Sequence, residues 1–139
     1  MSASEVVVAD WPAPKGYSNG RVGDGRAVHI GGQIGWNPSG VFPSASSSNE
    51  AFLAQFAQAL DNVIAVVRAA GGEPTDVASM TVFVTDMAVY RATRKQLAAI
   101  WKPRLGKHYP AMALVAVTAL FEPEAVVEIQ AIAHLGGTP

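Results

Sequence analysis

Cysteine is absent from this chain of 139 residues, and charged residues are scarce. Without cysteine, the chain has no disulfide framework, thiol nucleophile, thiolate-bound zinc or iron–sulfur cluster. Lys, Arg, Asp and Glu make up 15% of the chain, whereas ordinary soluble domains carry about 25% charged residues. The net charge of −1 does not favour nucleic-acid binding, which usually depends on a basic domain.

Long apolar runs are also lacking. None approaches the roughly 18 residues needed to span a bilayer. The residues from Met1 to Glu5 contain no basic group, and the apolar run Val6–Val8 is too short for the core of a signal peptide. We therefore expect no membrane association and a cytoplasmic location.

Apolar residues, in contrast, are abundant and make up 50% of the sequence. A chain of this length buries roughly 68% of its unfolded surface, so it needs no metal or disulfide to fold. We treat residues 1–139 as a single domain, with 1–11 as an N-terminal segment that includes a short strand near Val6–Val8. The apolar excess predicts that further surface is buried against other copies of the chain.

Two helices are predicted. Ser47 and Glu50 have the spacing of a capping box, in which a hydroxyl accepts from a backbone N–H and the carboxylate reaches back. Apolar residues at helical spacing follow, and Gly71-Gly72 ends the helix. These apolar residues are Phe52, Leu53, Phe56, Ala57, Leu60, Val63, Ile64 and Val67. The second helix is predicted from Asp86 to about Trp101, ended by Lys102-Pro103 because the residue before a proline avoids the helical region.

Strands are predicted before, between and after these helices. They comprise residues 17–22, 27–30, 77–85, 111–120 and 125–135. Asp24-Gly25 predicts a hairpin between the first two strands, and 121–124 is the predicted turn between the last two. The order of elements indicates an α+β fold with about six strands in a mixed sheet and two helices packed on one face.

Glu128 is the most distinctive single position. It lies in the middle of the last predicted strand, between Val127 and Ile129, where a carboxylate is costly unless it is paired or hydrated. One interpretation is a general acid or base, or a carboxylate that orients a water molecule. The other is a structural carboxylate in an interface between subunits.

Other polar groups give weaker signals. Six of the ten basic residues fall between Arg91 and Lys107, which fits a solvated helix face, an anion-binding rim or an RNA-contacting patch. The three histidines share no metal-ligand spacing, although His108 is a candidate titrating group next to Tyr109. Residues 31–35 lack the pattern of a phosphate-binding loop and favour a tight backbone turn that lines a cleft.

Several segments, taken in order, resemble the reactive intermediate deaminase family, also called RidA, YjgF or L-PSP endoribonuclease-like. The resemblance implies a chorismate mutase-like α+β fold and a homotrimer in which three sheets form a central barrel. It also implies clefts between subunits, where enamines or imines are hydrolysed to carbonyl compounds and ammonia with no cofactor and no metal. The matching segments are 12–18, 28–34 (VHIGGQI), 58–63, 81–87 (TVFVTDM), 109–111 and 127–133 (VEIQAIA).

The resemblance also assigns roles to individual residues. Tyr17 matches a pocket tyrosine and Glu128 the carboxylate that handles water, so both are the expected catalytic residues. Gly32 matches the glycine of a Ser-Gly-Gln turn whose serine is replaced here by Gly31. Arg94 matches an asparagine in the family's second helix. Gly31, Gly32 and Arg94 are all expected in the substrate site.

The chain departs from the family pattern at Met112. Deaminating members have Pro-Ala-Arg here, and that arginine binds the substrate carboxylate through two hydrogen bonds. Met112 provides an apolar wall instead, with Ala113 and Leu114 expected beside it in the substrate site. Because a charge-assisted hydrogen bond contributes roughly 1.5–3 kcal/mol, a small imino acid should bind about ten- to a hundredfold more weakly. Arg94 is a candidate replacement cation.

Three functions follow from this resemblance. The leading prediction is a hydrolase, a deaminase acting on an enamine or imine different from 2-aminoacrylate. The second is a trimer that binds a small ligand without catalysis, since the anchoring arginine is lost. The third is cleavage of single-stranded RNA, which the basic cluster permits but the net charge of −1 does not favour.

Overall fold

A four-stranded sheet with helices on one face organises the chain. The computed structural model describes residues 3–136. The strands are β1 (Ala3–Glu5), β2 (Arg21–Gly23), β3 (Arg26–Ile34), β4 (Val77–Val84), β5 (Ala111–Ala116) and β6 (Val127–Leu135). The helices are α1 (Ser48–Ala69), α2 (Met87–Ala92) and α3 (Arg94–Leu105), with a 3₁₀ turn at Pro74–Asp76.

The strand order in the main sheet is β3-β6-β4-β5, with β5 at one edge. β5 runs parallel to β4, and the other pairs are antiparallel. β1 and β2 form a separate two-stranded sheet. The predicted α+β class and mixed sheet are confirmed, but the six strands are divided between two sheets and the described residues contain three α-helices rather than two.

Helix α1 follows its sequence signals closely. The Ser47 hydroxyl accepts from the Glu50 N–H at 3.1 Å, whereas the Glu50 carboxylate accepts from the Ser46 hydroxyl at 2.6 Å instead of closing the box on Ser47. The helix covers β3 and β6 with its apolar side, where Phe52 and Leu60 are fully buried. Burying such a side chain stabilises the fold by about 1.5–3 kcal/mol.

The α1 helix is also long and apolar enough, by length and composition alone, to cross a membrane. This differs from the expectation that no run of the sequence approaches that length. The central helix of a folded domain meets the same criterion, and the buried side of α1 packs on the sheet. The length and composition of α1 are therefore weak evidence for a membrane span.

The predicted hairpin around Asp24-Gly25 is wrong. β2 pairs with β1, and β3 pairs with β6 at the other end of the chain. A Cβ on Gly25 would lie 2.3 Å from the carbonyl oxygen of Leu135, and its φ is +82°. The glycine is thus needed for close approach to the end of β6, and this long-range pairing overrides the local turn pattern.

The last two strands are also not neighbours. β4 lies between β5 and β6, and β5 ends at Ala116, four residues earlier than predicted. The N–H of Val117 donates to the carbonyl of Val84 at 2.8 Å, after which the chain leaves the sheet. Residues 121–124 therefore belong to a connection that crosses β4, because β4 lies between β5 and β6 and keeps them two strand spacings apart.

The second predicted helix is divided at Thr93. This buried hydroxyl donates to the carbonyls of Val89 at 2.8 Å and Tyr90 at 3.2 Å, which closes α2 before α3 begins. α3 continues through Pro103 to Leu105, so the predicted end at Lys102-Pro103 is wrong. The proline removes one backbone donor, but the N–H of Gly106 still bonds to the carbonyl of Lys102 at 2.9 Å.

Candidate functional site

A cavity of about 410 Å³ lies beside the edge strand β5, on the side of the sheet that carries the helices. Two other cavities, of about 350 and 380 Å³, are lined by none of the predicted site residues. Volume alone does not distinguish the three, whereas the lining does. The cavity beside β5 is lined by Lys15, Gly16, Tyr17, Phe56, Val82, Tyr90, Arg94, Leu97, Ala98, Trp101, Tyr109, Met112 and Leu114.

The floor of this cavity is the inner face of the sheet. Met112 and Leu114 of β5 stand in register with Met80 and Val82 of β4. Because side chains alternate between the two faces of a strand, Met112 and Leu114 share the side on which the helices pack. Their thioether and aliphatic groups give the cavity an apolar base.

Two stacked aromatic rings form one wall. The ring centroids of Trp101 and Tyr109 are 5.8 Å apart, and the ring planes differ by 10°. The indole N–H of Trp101 donates to the backbone carbonyl of His108 at 3.2 Å, which fixes the ring against the end of α3. The wall is therefore a rigid surface suited to an apolar or planar group.

The segment that carries Tyr17 is fastened to the same corner. The Ser18 N–H donates to the Pro110 carbonyl at 3.0 Å, and the Ser18 hydroxyl donates to the Tyr109 carbonyl at 2.5 Å. The guanidinium of Arg21 also donates to the Tyr109 carbonyl, at 2.9 Å. These bonds hold Lys15 and Tyr17 at the cavity mouth.

Lys15 and Arg94 are the charged residues of the lining, which contains no carboxylate among the described residues. Arg94 is the first residue of α3 and is exposed. Nearby, burial raises the pKa of the Tyr90 phenol, and the positive charge of Arg94 partly opposes that rise. Tyr90 is therefore a neutral phenol at physiological pH, beside a cation.

Glu128 lies on the opposite face of the sheet. Its neighbours Val127 and Ile129 point into the core, so the alternation of β6 turns Glu128 outward. A Cβ on Gly32 would lie 2.6 Å from Oε1 of Glu128, so the carboxylate occupies the space above the glycine backbone. Ala113 also lies on this outer face, in register with Thr81, whereas Gly31 is exposed with open space around it.

The predicted site residues thus fall into two groups in one chain. The cavity brings together Tyr17, Arg94, Met112 and Leu114. Gly32 and Glu128 adjoin each other on the outer face, and neither lines the cavity.

Sequence reasoning missed Lys15, Trp101 and Tyr109 as parts of the site. Arg94, Leu97, Ala98 and Trp101 have the spacing of residues on one side of a helix. This spacing alone would have grouped Trp101 with the predicted site residue Arg94. Lys15 is held near the cavity by the hydrogen bonds of Ser18 to Tyr109 and Pro110, and Tyr109 by its stacking on Trp101.

His108, the candidate titrating group next to Tyr109, adjoins the cavity wall but is not part of the cavity lining. His108 is buried, its Nε2 donates to the carbonyl of Val77 at 2.7 Å, and it does not line the cavity. Burial lowers the pKa of this imidazole. His108 therefore has a structural role beneath the aromatic wall.

The six basic residues between Arg91 and Lys107 have three different surroundings. Arg104 forms two hydrogen bonds to the carboxylate of Asp61, at 2.7 and 3.1 Å, and Arg94 lines the cavity. The remaining four basic residues are exposed, as on a solvated helix surface. Within residues 3–136 no group of three or more His, Asp or Glu side chains is arranged to hold a metal ion.

The fold and the cavity define a small α+β domain with an aromatic-walled pocket at the sheet edge. The family described as endoribonuclease L-PSP matches residues 9–135, and the chain belongs to this RidA/YjgF family. The resemblance read from the sequence is confirmed.

Individual relatives support the same assignment. Human 2-iminobutanoate/2-iminopropanoate deaminase is 33% identical over 112 residues, which cover 80% of this chain and 74% of the human protein. The Rid family protein YyfB of Yersinia pestis superposes with a TM-score of 0.82 at 31% identity and covers 97% of this chain and 100% of its own. The YjgF gene product of E. coli superposes with a TM-score of 0.67 at 32% identity, covering 95% and 98%.

Proposed function

We propose that this protein is a cytoplasmic enamine or imine deaminase whose substrate differs from 2-aminoacrylate. Family membership and the human imine deaminase relative support the reaction class. The observation that carries the proposal is the cavity beside β5, because it gathers Tyr17, Arg94, Met112 and Leu114, four residues expected at the substrate site.

The reaction consumes one water molecule and releases ammonia. Water adds to the carbon of the C=N bond and a proton is transferred to the nitrogen; the C–N bond of the resulting carbinolamine then breaks, leaving a carbonyl group and ammonia. An enamine enters this sequence after protonation at carbon. Glu128 positions the water and accepts its proton, Tyr17 contacts the substrate, and backbone groups at Gly31 and Gly32 supply hydrogen bonds.

A complete site requires more than one copy of the chain. Glu128 and the cavity occupy opposite faces of the sheet, but the cavity opens beside the edge strand β5. The outer face presents apolar groups, including the exposed Ala113 and Val115. In the homotrimer that we propose, these faces pack together, and Gly32 and Glu128 of one subunit approach the cavity of the next.

The test is ammonia release from imines generated in the assay by an amino-acid oxidase. The wild-type protein should accelerate release from at least one imino acid, and Glu128→Gln should abolish the acceleration without altering the assembly. Sedimentation should give the mass of three chains. A monomer that retains full activity contradicts the shared site.

The second candidate function is ligand binding without turnover, favoured by the replacement of the anchoring arginine with Met112. It predicts tight binding of a small molecule with no ammonia release from any imine tested, even in the Met112→Arg variant. Ribonuclease activity, the third candidate, is tested separately with single-stranded RNA. It requires RNA cleavage that persists through purification and is lost when the pocket is altered.

A further inference from the structure

The cavity beside β5 combines a positive rim with an apolar interior. Within residues 3–136, neither the guanidinium of Arg94 nor the ammonium of Lys15 forms a hydrogen bond or ion pair. Two other arginines have partners, since Arg104 binds Asp61 and Arg21 binds backbone carbonyls, and the exposed Arg91, Lys95, Lys102 and Lys107 do not line the cavity. Two unpaired cations next to walls of low dielectric attract an anion to this mouth.

The interior of the cavity favours a large apolar group. The Trp101–Tyr109 stack forms one wall, and Phe56, Met112 and Leu114 contribute apolar surface. Its volume of about 410 Å³ is in the range of sites for drug-sized ligands, which bind mainly through such surfaces. A three-carbon imino acid would leave most of this surface without a partner.

We infer that the substrates are imino or enamino acids with a large apolar side chain, aromatic above all, whose carboxylate is bound by Arg94 at the start of α3. Lys15 adds positive charge at the same mouth, and the side chain lies between the Trp101–Tyr109 stack and Met112. In the family pattern the anion-binding arginine stands at the position of Met112 on β5, whereas in this chain the anion-binding group lies on α3. The turnover part of this inference rests on the proposed function, whereas the binding part does not.

Binding is tested first, with unreactive probes and isothermal calorimetry on the full-length protein. The first probe, 3-phenylpropanoate, has both the aromatic ring and the negative charge. Propanoate lacks the ring, and 3-phenylpropan-1-ol lacks the charge. Burying an aromatic side chain is worth about ten- to a hundredfold in affinity. We expect 3-phenylpropanoate to bind at least tenfold more tightly than either of the other two compounds.

Two variants locate the anion site. Arg94→Gln should weaken 3-phenylpropanoate by about tenfold or more and leave 3-phenylpropan-1-ol unchanged, because a charge-assisted hydrogen bond is lost. Arg91→Gln is the matched control, since Arg91 is an exposed arginine three residues earlier that does not line the cavity. Equal affinities for the three probes, or equal effects of the two variants, would overturn the inference.

Turnover separates this inference from the proposed function. Imines generated from phenylalanine should be hydrolysed more efficiently than those from alanine, and Arg94→Gln should reduce the difference. If 3-phenylpropanoate binds through Arg94 but no imine is hydrolysed, the ligand class stands and the deaminase proposal fails. If the alanine imine is preferred and Arg94→Gln has no effect, the deaminase proposal stands and the inference is wrong.

Discussion

The carboxylate of Glu128 occupies the position where a side chain on Gly32 would begin, 2.6 Å from the Cβ of an alanine placed there. The atoms involved are the far end of a flexible side chain, so Gly32→Ala should move Glu128 to another rotamer at a cost of less than about 1.5 kcal/mol in stability. Displacing a reacting group by about 1 Å costs on the order of 100-fold in rate. We therefore expect a large loss of kcat for imine hydrolysis with a small change in Tm.

The control for this prediction is Gly31→Ala. Nothing lies within 4 Å of a Cβ at Gly31, so the neighbouring substitution should leave the position of Glu128 and the thermal stability unchanged. If Gly32→Ala retains wild-type kcat, the contact with Glu128 has no catalytic consequence.

The Trp101–Tyr109 stack is expected to contribute to stability as well as to the cavity wall. Trp101 is buried, and its indole N–H is bonded to the carbonyl of His108. Trp101→Ala should lower the free energy of unfolding by about 3–5 kcal/mol, because it removes this bond and leaves a void. Urea denaturation measures the change, and Phe121→Ala, at a side chain that is 96% exposed, should be nearly neutral. A similar loss in both variants would contradict the structural role of the stack.

Some elements were predictable because their signals are local. The cap at Ser47 and the apolar spacing that follows depend only on neighbouring residues, and α1 forms as predicted. The strand alternation around Glu128 likewise placed this carboxylate between two core residues. Local patterns suffice where one element satisfies its own hydrogen bonds or buries its own apolar face.

Other features depend on contacts between distant parts of the chain. The hairpin at Asp24-Gly25 failed because β3 finds its partner in β6. The cavity wall was missed because Tyr109 reaches Trp101 only after the loop that follows α3. The placement of Met112 and Glu128 on opposite faces depends on how β4 is aligned with β5 and with β6. The sequence does not encode this alignment between strands locally.

His108 should make stability depend on pH. Burial lowers the pKa of its imidazole below 6.5 in the folded protein, so the unfolded chain binds the proton more tightly. The Nδ1 atom has no hydrogen-bond partner among the described residues, and protonation there would bury an unsatisfied N–H. The contribution of neutral His108 to the free energy of unfolding is fully present above pH 6.5. It is lost as the pH falls from 6.5 through the lower pKa of the folded state.

The measurement is the free energy of unfolding in urea between pH 7.5 and pH 5, a range of about two and a half units around the ordinary histidine pKa. His108→Gln should flatten the decline, because the titrating group is removed while an amide can still donate to Val77. A decline that is unchanged in the variant would assign the pH dependence to other groups.

Replacing Met112 with arginine should change which substrates are accepted. Met112 lies on the cavity floor, so Met112→Arg places a third cation beside Lys15 and Arg94 and fills part of the apolar space. The new guanidinium should raise kcat/KM for 2-aminoacrylate by about ten- to a hundredfold through charge-assisted hydrogen bonds to its carboxylate. The efficiency for phenylalanine imine should fall, because the arginine side chain competes with the substrate for the same volume.

Met112→Leu keeps the size and removes only the thioether, so it should alter neither value by more than about threefold. If both variants behave alike toward 2-aminoacrylate, Met112 does not occupy the position of the substrate anchor.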